Sequence, residues 1–376
     1  MELFSFPKPS ASTEMKNLGF IDGTGEIVID QTIYCRHFDE FNANGYCRIK
    51  MSDLVTNIIV DHDGQIFDLP ENFSCNEAPD SFGLFSAIHR PDRKLNSAWV
   101  ADPNEQSRQG FRYIGRTNHY VMRLDHTVAF ERNASALGNG FYKWAVFDPD
   151  TKRHRYGIID HTGQITAAPK YESIERSDTG QAFSVVKGRK FGVIDAFGNE
   201  IVEIRHPVTW PWDYSSTYDG VATVLNSSTA RCQVFDLKGD VVGEIPASFR
   251  EYYSDWQVPS YSDGMFCVVE RVNGKRGRTY FLKPDGSPAM RSGWGRQKYF
   301  PADIEISGAA DGMIAFKKGG LWGYFDTAGA LVIPPKYHSV SGFRSGLSRV
   351  FDSSEDEEAG QFRYIDRKGD TIAQNY

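Results

Sequence analysis

The sequence predicts an all-β fold, an array of about nine antiparallel three-stranded meander units of about 40 residues each. Two observations predict it: a turn signature that recurs along the chain, and a glycine that opens an apolar strand ahead of the turn. The 35 glycines and the 14% aromatic residues suit short strands joined by tight turns. We expect a β-propeller-like ring or a curved superhelix, with an open β-solenoid as the alternative.

The turn signature is two apolar residues, an aspartate, two variable residues and a glycine. Its copies start near Leu18, Asn57, Ser97, Arg155, Lys190, Cys232, Arg278, Leu321 and Phe362. The first turn position holds Asp22, Asp61, Asp102, Asp160, Asp195, Asp236, Lys283, Asp326 and Asp366. Three residues later stand Gly25, Gly64, Glu105, Gly163, Gly198, Gly239, Gly286, Gly329 and Gly369. Aspartate accepts hydrogen bonds from the next N–H groups and glycine adopts a positive φ, so each copy predicts a hairpin turn. A calcium loop is the alternative, but one aspartate per turn supplies too few oxygen ligands.

The second signal is a glycine before an alternating apolar strand, as in NGYCRIK at Gly45 and DGMIAFKK at Gly312. Each unit therefore contains a strand, a hairpin, a strand, a turn and a strand. The short stretch Leu3–Phe6 is expected to stand in as a missing strand, and connections such as KYESIER can add a fourth strand to some units. We expect residues 1–376 to form a single repeat domain.

The eighth copy, LWGYFDTAGALVIPPKY from Leu321, resembles the WG-repeat (KWG-repeat) family of bacterial proteins through Trp322 and Gly323. The copies around Gly157 and Gly192 keep the same frame, with Tyr or Phe in place of Trp. The resemblance extends roughly from Leu18 to Ala373. It implies an all-β repeat array that acts as an interaction scaffold, and it implies no catalytic residue.

Composition and motif content exclude several functional classes. The net charge of −7 argues against a nucleic-acid binder, and no apolar run is long enough to span a membrane. The first residues do not resemble a signal peptide, and five scattered cysteines suit thiols in a reducing cytoplasm. The nine histidines show no metal-ligand spacing, and no nucleophile elbow or phosphate-binding loop occurs. We expect a cytoplasmic protein that is not an enzyme and has no cofactor and no metal.

The candidate binding residues lie in the connections between units. The span from a turn position to the next strand glycine ranges from 20 to 38 residues, whereas the span from that glycine to the next turn ranges from 14 to 20. Variable connections in repeat arrays often form a binding face. The longest ones are rich in aromatic residues, which dominate binding hot spots. The predicted partner-binding residues are Trp210, Trp212, Tyr214, Tyr252, Tyr253, Trp256, Trp294 and Tyr299. Packing between units is the alternative role for each of them.

These features favour a scaffold that binds another protein through its aromatic connections. A narrower hypothesis is an immunity or antitoxin protein that neutralises a bacterial toxin or effector, and the acidic charge would suit a basic partner. The alternative is a carbohydrate-binding or glycoside-hydrolysing protein, because exposed aromatic rings also stack on sugars and paired carboxylates cannot be recognised from sequence. A purely structural array is a third reading. The partner and the oligomeric state stay open.

Overall fold

The computed structural model of this chain consists almost entirely of β-strands, with one short helix, α1 (Ser354–Ala359). The structure describes residues 3–8, 16–42, 44–51, 57–75, 77–91, 99–101, 111–113, 118–175, 180–207, 215–218, 220–226, 231–246, 249–251, 261–272, 275–290 and 299–375.

The strands in the first half of the chain are β1 (Leu3–Pro7), β2 (Lys16–Asp22), β3 (Ile27–Phe38), β4 (Tyr46–Met51), β5 (Asn57–Asp61), β6 (Ile66–Asp68), β7 (Phe73–Cys75), β8 (Leu84–His89), β9 (Trp99–Ala101), β10 (Phe111–Tyr113), β11 (Asn118–Arg123), β12 (Val128–Phe130), β13 (Ala134–Gly138), β14 (Phe141–Asp148), β15 (Arg153–Asp160), β16 (Ile165–Tyr171), β17 (Ser173–Ile174) and β18 (Ala182–Lys187). Those in the second half are β19 (Lys190–Asp195), β20 (Glu200–Pro207), β21 (Ser215–Tyr218), β22 (Val221–Asn226), β23 (Arg231–Asp236), β24 (Val241–Ile245), β25 (Phe249–Glu251), β26 (Tyr261–Ser262), β27 (Met265–Val272), β28 (Lys275–Leu282), β29 (Glu305–Ala310), β30 (Met313–Lys318), β31 (Leu321–Asp326), β32 (Leu331–Tyr337), β33 (Ser339–Val340), β34 (Leu347–Phe351), β35 (Arg363–Asp366) and β36 (Thr371–Gln374).

The strands form nine units, and we name the strands of a complete unit a, b, c and d in chain order. Unit 1 contains β1, β2 and the first half of β3 as strands b, c and d, and unit 2 begins with the second half of β3 and continues through β6. Units 3, 4, 5 and 6 consist of β7–β8–β11–β12, β13–β16, β17–β20 and β21–β24. In unit 7, β25 and β26 both pair with β27, which pairs with β28, and units 8 and 9 are β29–β32 and β33–β36. The all-β repeat array of about nine units is confirmed.

Most units have four strands, so the expectation of three per unit is too low. The additional strand a is short in several units, and in unit 5 it is only Ser173–Ile174, within the KYESIER stretch. A strand of two or three residues leaves too little period-2 alternation to detect. Strand β1 pairs with β2 from Leu3↔Asp22 to Pro7↔Leu18, so Leu3–Phe6 does supply a strand of unit 1.

The turn between strands c and d has the predicted chemistry. In unit 1, the Asp22 carboxylate accepts hydrogen bonds from the backbone N–H of Thr24 (2.8 Å) and of Glu26 (3.1 Å). Gly25 donates its N–H to the Asp22 carbonyl and has a φ of 87°. The same carboxylate contacts recur at Asp195, Asp236 and Asp366. Each of these turns is therefore closed by an aspartate acceptor and by a glycine in a conformation that other residues rarely adopt.

The third predicted copy, near Ser97, is wrong. Strand β9 (Trp99–Ala101) pairs only with β10 in a separate two-stranded sheet, and Asp102 and Glu105 lie outside the described residues. The c–d turn of unit 3 instead runs from Arg123 to His126, where His126 donates to the Arg123 carbonyl at a φ of 68°. The long insertion therefore joins strands b and c of unit 3 rather than two units.

Both c–d turns that lack aspartate at the first position carry it two residues later. In unit 3 the Asp125 carboxylate accepts the Thr127 N–H (2.9 Å), and in unit 7 the Asp285 carboxylate accepts the Ser287 N–H (2.9 Å). The backbone hydrogen bonds of the turn remain, because Gly286 still donates to the carbonyl of Lys283 (2.9 Å). The backbone geometry of the c–d turn is thus more uniform among the units than the residue types that form it.

The glycine after the aromatic residue in strand c allows strand d to approach closely. A Cβ on Gly323 would lie 2.5 Å from the Ile333 carbonyl oxygen, and one on Gly192 would lie 2.5 Å from that of Val202. The register between strands c and d shifts at this point in both units. Tyr337 pairs with Trp322 and is fully buried, so the tyrosine of PPKY packs in the core.

The units close into a ring because each packs on its neighbour and the last packs on the first. A Cβ on Gly239 in unit 6 would lie 2.4 Å from the Ile201 carbonyl oxygen in strand d of unit 5. Turn glycines of units 2, 4, 5, 7 and 9 also face strand d of the preceding unit. Gly25 of unit 1 faces Ile372 of unit 9 in the same way, at 2.5 Å from its carbonyl oxygen. The described residues thus favour the ring over the open solenoid.

Candidate functional site

Every unit has two ends, and the described residues expose large apolar side chains mainly at one of them. We call the end with the a–b and c–d turns the turn end, and the end with the b–c hairpin and the d-to-a connection the hairpin end. Exposed at the turn end are Ile27, Ile66, Phe82, Val128, Ile165, Phe197, Val241, Val242, Leu331 and Val332. Exposed at the hairpin end are Tyr34, Phe147 and Leu321. None of these residues is among the eight predicted from the sequence to bind a partner.

Four aromatic side chains of units 3 to 5 form two ring pairs at the turn end, and we call Phe82, Phe141, His161 and Phe197 the aromatic turn patch. The Phe82 and His161 rings stack with centroids 4.0 Å apart and planes 5° apart. Phe197 meets Phe141 edge to face at 6.3 Å. Phe82 is 50% exposed and Phe197 is 65% exposed. Rings that keep this much exposed area while held by neighbours are suited to anchor a binding partner.

A buried hydrogen bond fixes the turn that carries Phe82. The Asp80 carboxylate accepts the N–H groups of Phe82 (2.8 Å) and Leu84 (3.0 Å), and its other oxygen accepts the Tyr142 hydroxyl (2.5 Å). Burial, and then the nearby Asp80 charge, raises the pKa of Tyr142, so this hydroxyl keeps its proton to donate. A Cβ on Gly140 would lie 2.3 Å from the Phe82 ring, so the ring can occupy this position because residue 140 has no side chain.

A second repeated feature of the turn end is one aliphatic residue at the same position in strand d of six units. It stands two residues after the final position of the c–d turn, opposite an apolar residue of strand c, as in the pairs Ile21↔Ile27 and Ile159↔Ile165. The six residues are Ile27, Ile66, Val128, Ile165, Val241 and Leu331, with exposed fractions of 43% to 56%. Units 5, 7 and 9 have Glu200, Pro288 and Thr371 at this position. We call these six residues the aliphatic belt.

Of the eight residues predicted to bind a partner, the structure describes Tyr299 alone. Trp210, Trp212, Tyr214, Tyr252, Tyr253, Trp256 and Trp294 lie outside the described residues. Tyr299 is half-buried, with its ring 5.7 Å from that of Tyr280 and the Arg278 guanidinium 4.3 Å from its centroid. Tyr280 in turn contacts Phe249, so Tyr299 belongs to an aromatic cluster of unit 7 at the hairpin end. Its proposed contact with a partner stays a prediction.

Titratable groups in the described part of the chain do not assemble into a metal site: no three His, Cys, Asp or Glu side chains come together there. Partial burial, and secondly Arg90, lowers the pKa of His119, and partial burial followed by Arg205 lowers that of His206. All five cysteines are buried. Burial raises the pKa of Cys75 and of Cys232 to about 12, which keeps these thiols protonated and weakly reactive.

No described helix is long and apolar enough to cross a membrane. A search of curated protein sequences finds no significant match.

Comparison with solved structures shows the fold. The crystal structure of a eukaryotic initiation factor superimposes with a TM-score of 0.55 at 10% sequence identity, over 99% of this chain and 95% of that one. AztD from Citrobacter koseri, in its apo form, matches 86% of this chain and 91% of its own at 12% identity and a TM-score of 0.37. The dihydro-heme d1 dehydrogenase NirN matches 88% of this chain and 72% of its own at 12% identity and a TM-score of 0.40. At such identities the likeness to the initiation factor extends to the fold alone.

The sequence comparison gives the repeat family. The WG containing repeat matches residues 156–189 and 322–351. Each match begins in strand c of one unit and ends near strand b of the next, so it spans the c–d turn and the junction between two units. The chain therefore carries WG-containing repeats, and its resemblance to the WG-repeat family is confirmed at these two places.

Proposed function

We propose that this protein is a non-enzymatic scaffold that binds another protein through the aromatic turn patch. The repeat β-fold supports a protein-interaction scaffold in general. The observation that carries the proposed face is the row of partly exposed rings across units 3 to 5, with Phe82 stacked on His161. A partner that covers both Phe82 and Phe197 would gain two large apolar anchors that are already held in place.

The rings lose little freedom on binding, which strengthens the proposal. Phe82 is held between the Asp80 turn and Gly140, and Phe197 lies in the turn that Asp195 closes. Ordering a mobile side chain at an interface costs about 0.5–1.5 kcal/mol, so anchors that are already ordered avoid part of this cost. The aliphatic belt would extend the same surface toward neighbouring units.

The test is affinity capture from cells of the source organism with three forms of the chain as bait. The wild type is compared with the double variant Phe82→Ser/Phe197→Ser and with Phe147→Ser as matched control. Phe147 is 55% exposed and contacts His154, but it lies at the hairpin end. We expect a protein that the wild type and Phe147→Ser retain and that the double variant loses, with an affinity difference of about 100-fold by titration. Equal retention by all three baits would refute the proposed face.

The narrower proposal is that the partner is a bacterial toxin or effector and that this chain is its immunity or antitoxin protein. The net charge of −7 is the supporting observation, because an acidic chain would attract a basic partner. We place the complex in the cytoplasm, a reducing compartment that suits five buried cysteines. Expressed alone, the captured protein should stop bacterial growth, and co-expression of this chain should restore it. A captured protein that is harmless alone contradicts this narrower role and leaves the scaffold role standing.

A further inference from the structure

A cavity lies at the seam of the ring, where unit 9 meets unit 1. Strand b of unit 1, β1, is the edge of its sheet in the described residues. The cavity has a volume of about 230 Å³ and lies between unit 9, β1 and the start of unit 2. It is lined by apolar Phe4 and Leu347 and by polar Glu40, Arg344, Arg349 and Tyr364.

The edge of β1 at this seam is already capped by side chains of unit 9. The Tyr364 hydroxyl donates to the Ser5 carbonyl (2.8 Å), and the Asn375 amide donates to the Pro7 carbonyl (2.9 Å). Burial, and secondly Glu40, raises the pKa of Tyr364 to about 12, so its proton stays available for that bond. The cavity is therefore a pocket for a compact group rather than a groove that would accept an added strand.

The charges around the cavity leave one cation in excess. Arg344 forms an ion pair with Glu40 (Nη2 to Oε2, 3.6 Å) and donates to the Phe41 carbonyl (3.3 Å), while the Ser5 hydroxyl donates to Glu40 (2.9 Å). These contacts balance the Glu40 charge. The Arg349 guanidinium contacts the rings of Phe351 (5.9 Å) and Phe362 (5.4 Å), and it forms no ion pair with any described residue.

Size and charge together select the ligand class. Pockets for drug-sized ligands have volumes of about 300–1,000 Å³, so this cavity suits a smaller molecule. One excess guanidinium matches one carboxylate, because a guanidinium pairs with a carboxylate through two parallel hydrogen bonds. A doubly charged phosphate would exceed the excess charge and face the Glu40 carboxylate. Phe4 and Leu347 offer apolar contact to the remainder of the ligand.

We propose that the seam cavity binds a compact organic monocarboxylate, with Arg349 as its charge partner. The carboxylate can belong to a free small acid or to the carboxyl terminus of a peptide. The inference does not depend on the proposed protein partner, which would bind at units 3 to 5.

The test is titration of the purified chain with 4-fluorobenzoate, followed by ¹⁹F NMR, in parallel with the neutral isostere 4-fluorobenzamide. We expect saturable binding of the carboxylate below 10 mM, and binding at least tenfold weaker for the amide. Arg349→Gln should weaken carboxylate binding at least tenfold, whereas Arg153→Gln, an exposed arginine of unit 4, should leave it unchanged.

The comparison of carboxylate with amide needs no substitution, so it decides the matter even if Arg349→Gln destabilises the seam. Absence of saturable carboxylate binding at 10 mM, or equal binding of the two probes, would overturn the proposal, as would full binding by a folded Arg349→Gln variant. Acetyl-Ala-Gly-Phe with a free carboxyl terminus separates the two sources. Binding tighter than that of 4-fluorobenzoate assigns the pocket to a chain terminus, and weaker binding assigns it to a free acid.

Discussion

The two ends of the ring are built by different rules. At the turn end, nine c–d turns share one backbone design, and the same position of strand d exposes an aliphatic residue in six units. At the hairpin end, the connections differ from unit to unit, from the two residues of Gly188–Arg189 to the long insertion that holds β9 and β10. The end with the most regular backbone therefore also carries the aromatic turn patch, so a repeated turn can provide a binding surface as well as structural support.

The largest effect should come from replacing a glycine at the turn end, compared with replacing a glycine at the hairpin end. Gly239→Ala would place a Cβ 2.4 Å from the Ile201 carbonyl of the preceding unit, at a φ of 94°. Gly188→Ala also has a positive φ, of 59°, but meets nothing within 4 Å. We expect a loss of unfolding free energy of about 3 kcal/mol for Gly239→Ala and of about 1 kcal/mol for Gly188→Ala. Urea titration measures both losses. Equal losses would show that the close approach of Gly239 to the preceding unit adds nothing to the effect of its positive φ.

The next effect separates the two candidate binding faces. The sequence-based prediction is that Trp212→Ala/Trp256→Ala abolishes partner binding with the melting temperature nearly unchanged. If the aromatic turn patch is the binding face, Phe82→Ser/Phe197→Ser should instead lower the affinity for the partner by about 100-fold, or about 2.7 kcal/mol. Titration of the captured partner against both double variants decides between the aromatic turn patch and the connections that hold Trp212 and Trp256. If only the tryptophan pair abolishes binding, the aromatic turn patch is not the binding face.

A smaller effect should follow from the buried support of Phe82. Asp80→Ala would leave the Tyr142 hydroxyl and the N–H groups of Phe82 and Leu84 without their acceptor. We expect a loss of about 2 kcal/mol in unfolding free energy, together with weaker partner binding. Tyr142→Phe, which keeps the turn, should weaken the fold but spare binding. A folded Asp80→Ala variant with normal affinity would show that the orientation of Phe82 is not important.

The smallest effect concerns the charge of a turn aspartate. Hydrogen bonds from the Thr24 side chain and then its N–H hold the pKa of Asp22 below its ordinary value of 3.8. Because the folded pKa is the lower one, the stabilisation is present above pH 3.8 and is lost as the pH falls through the folded pKa. Asp22→Asn should therefore lower the melting temperature by about one or two degrees near neutral pH. That difference should shrink below pH 3.8, and a constant difference would contradict the charge effect.

The sequence contains enough to predict the repeat, its turns and its number of units, because aspartate and glycine are required by local backbone geometry. It does not identify the c–d turn of unit 3, where Arg123 and His126 replace the usual pair and Asp125 takes over as acceptor. A search for aspartate at either of two positions would have found it. Strand a was missed in units 3, 5, 7 and 9 because two or three residues carry no periodic signal.

The aromatic turn patch could not be predicted, since its members are far apart in sequence and lie in segments with different roles. Phe82 is in an a–b turn, whereas His161 and Phe197 are in the c–d turns of two other units. Only the packing of unit on unit brings Phe82 and His161 into contact. The seam cavity depends on the ends of the described chain meeting, as Ser5 and Tyr364 do.

The contact between a turn glycine and strand d of the preceding unit has a consequence for how such proteins diverge. The contact needs a glycine in the turn and a backbone carbonyl in strand d. It does not depend on which side chains surround it. Neighbouring units can therefore differ in the residues around this contact and still fit together at the turn. A comparison based on residues then finds only scattered matches in a molecule whose nine units share the backbone of the c–d turn.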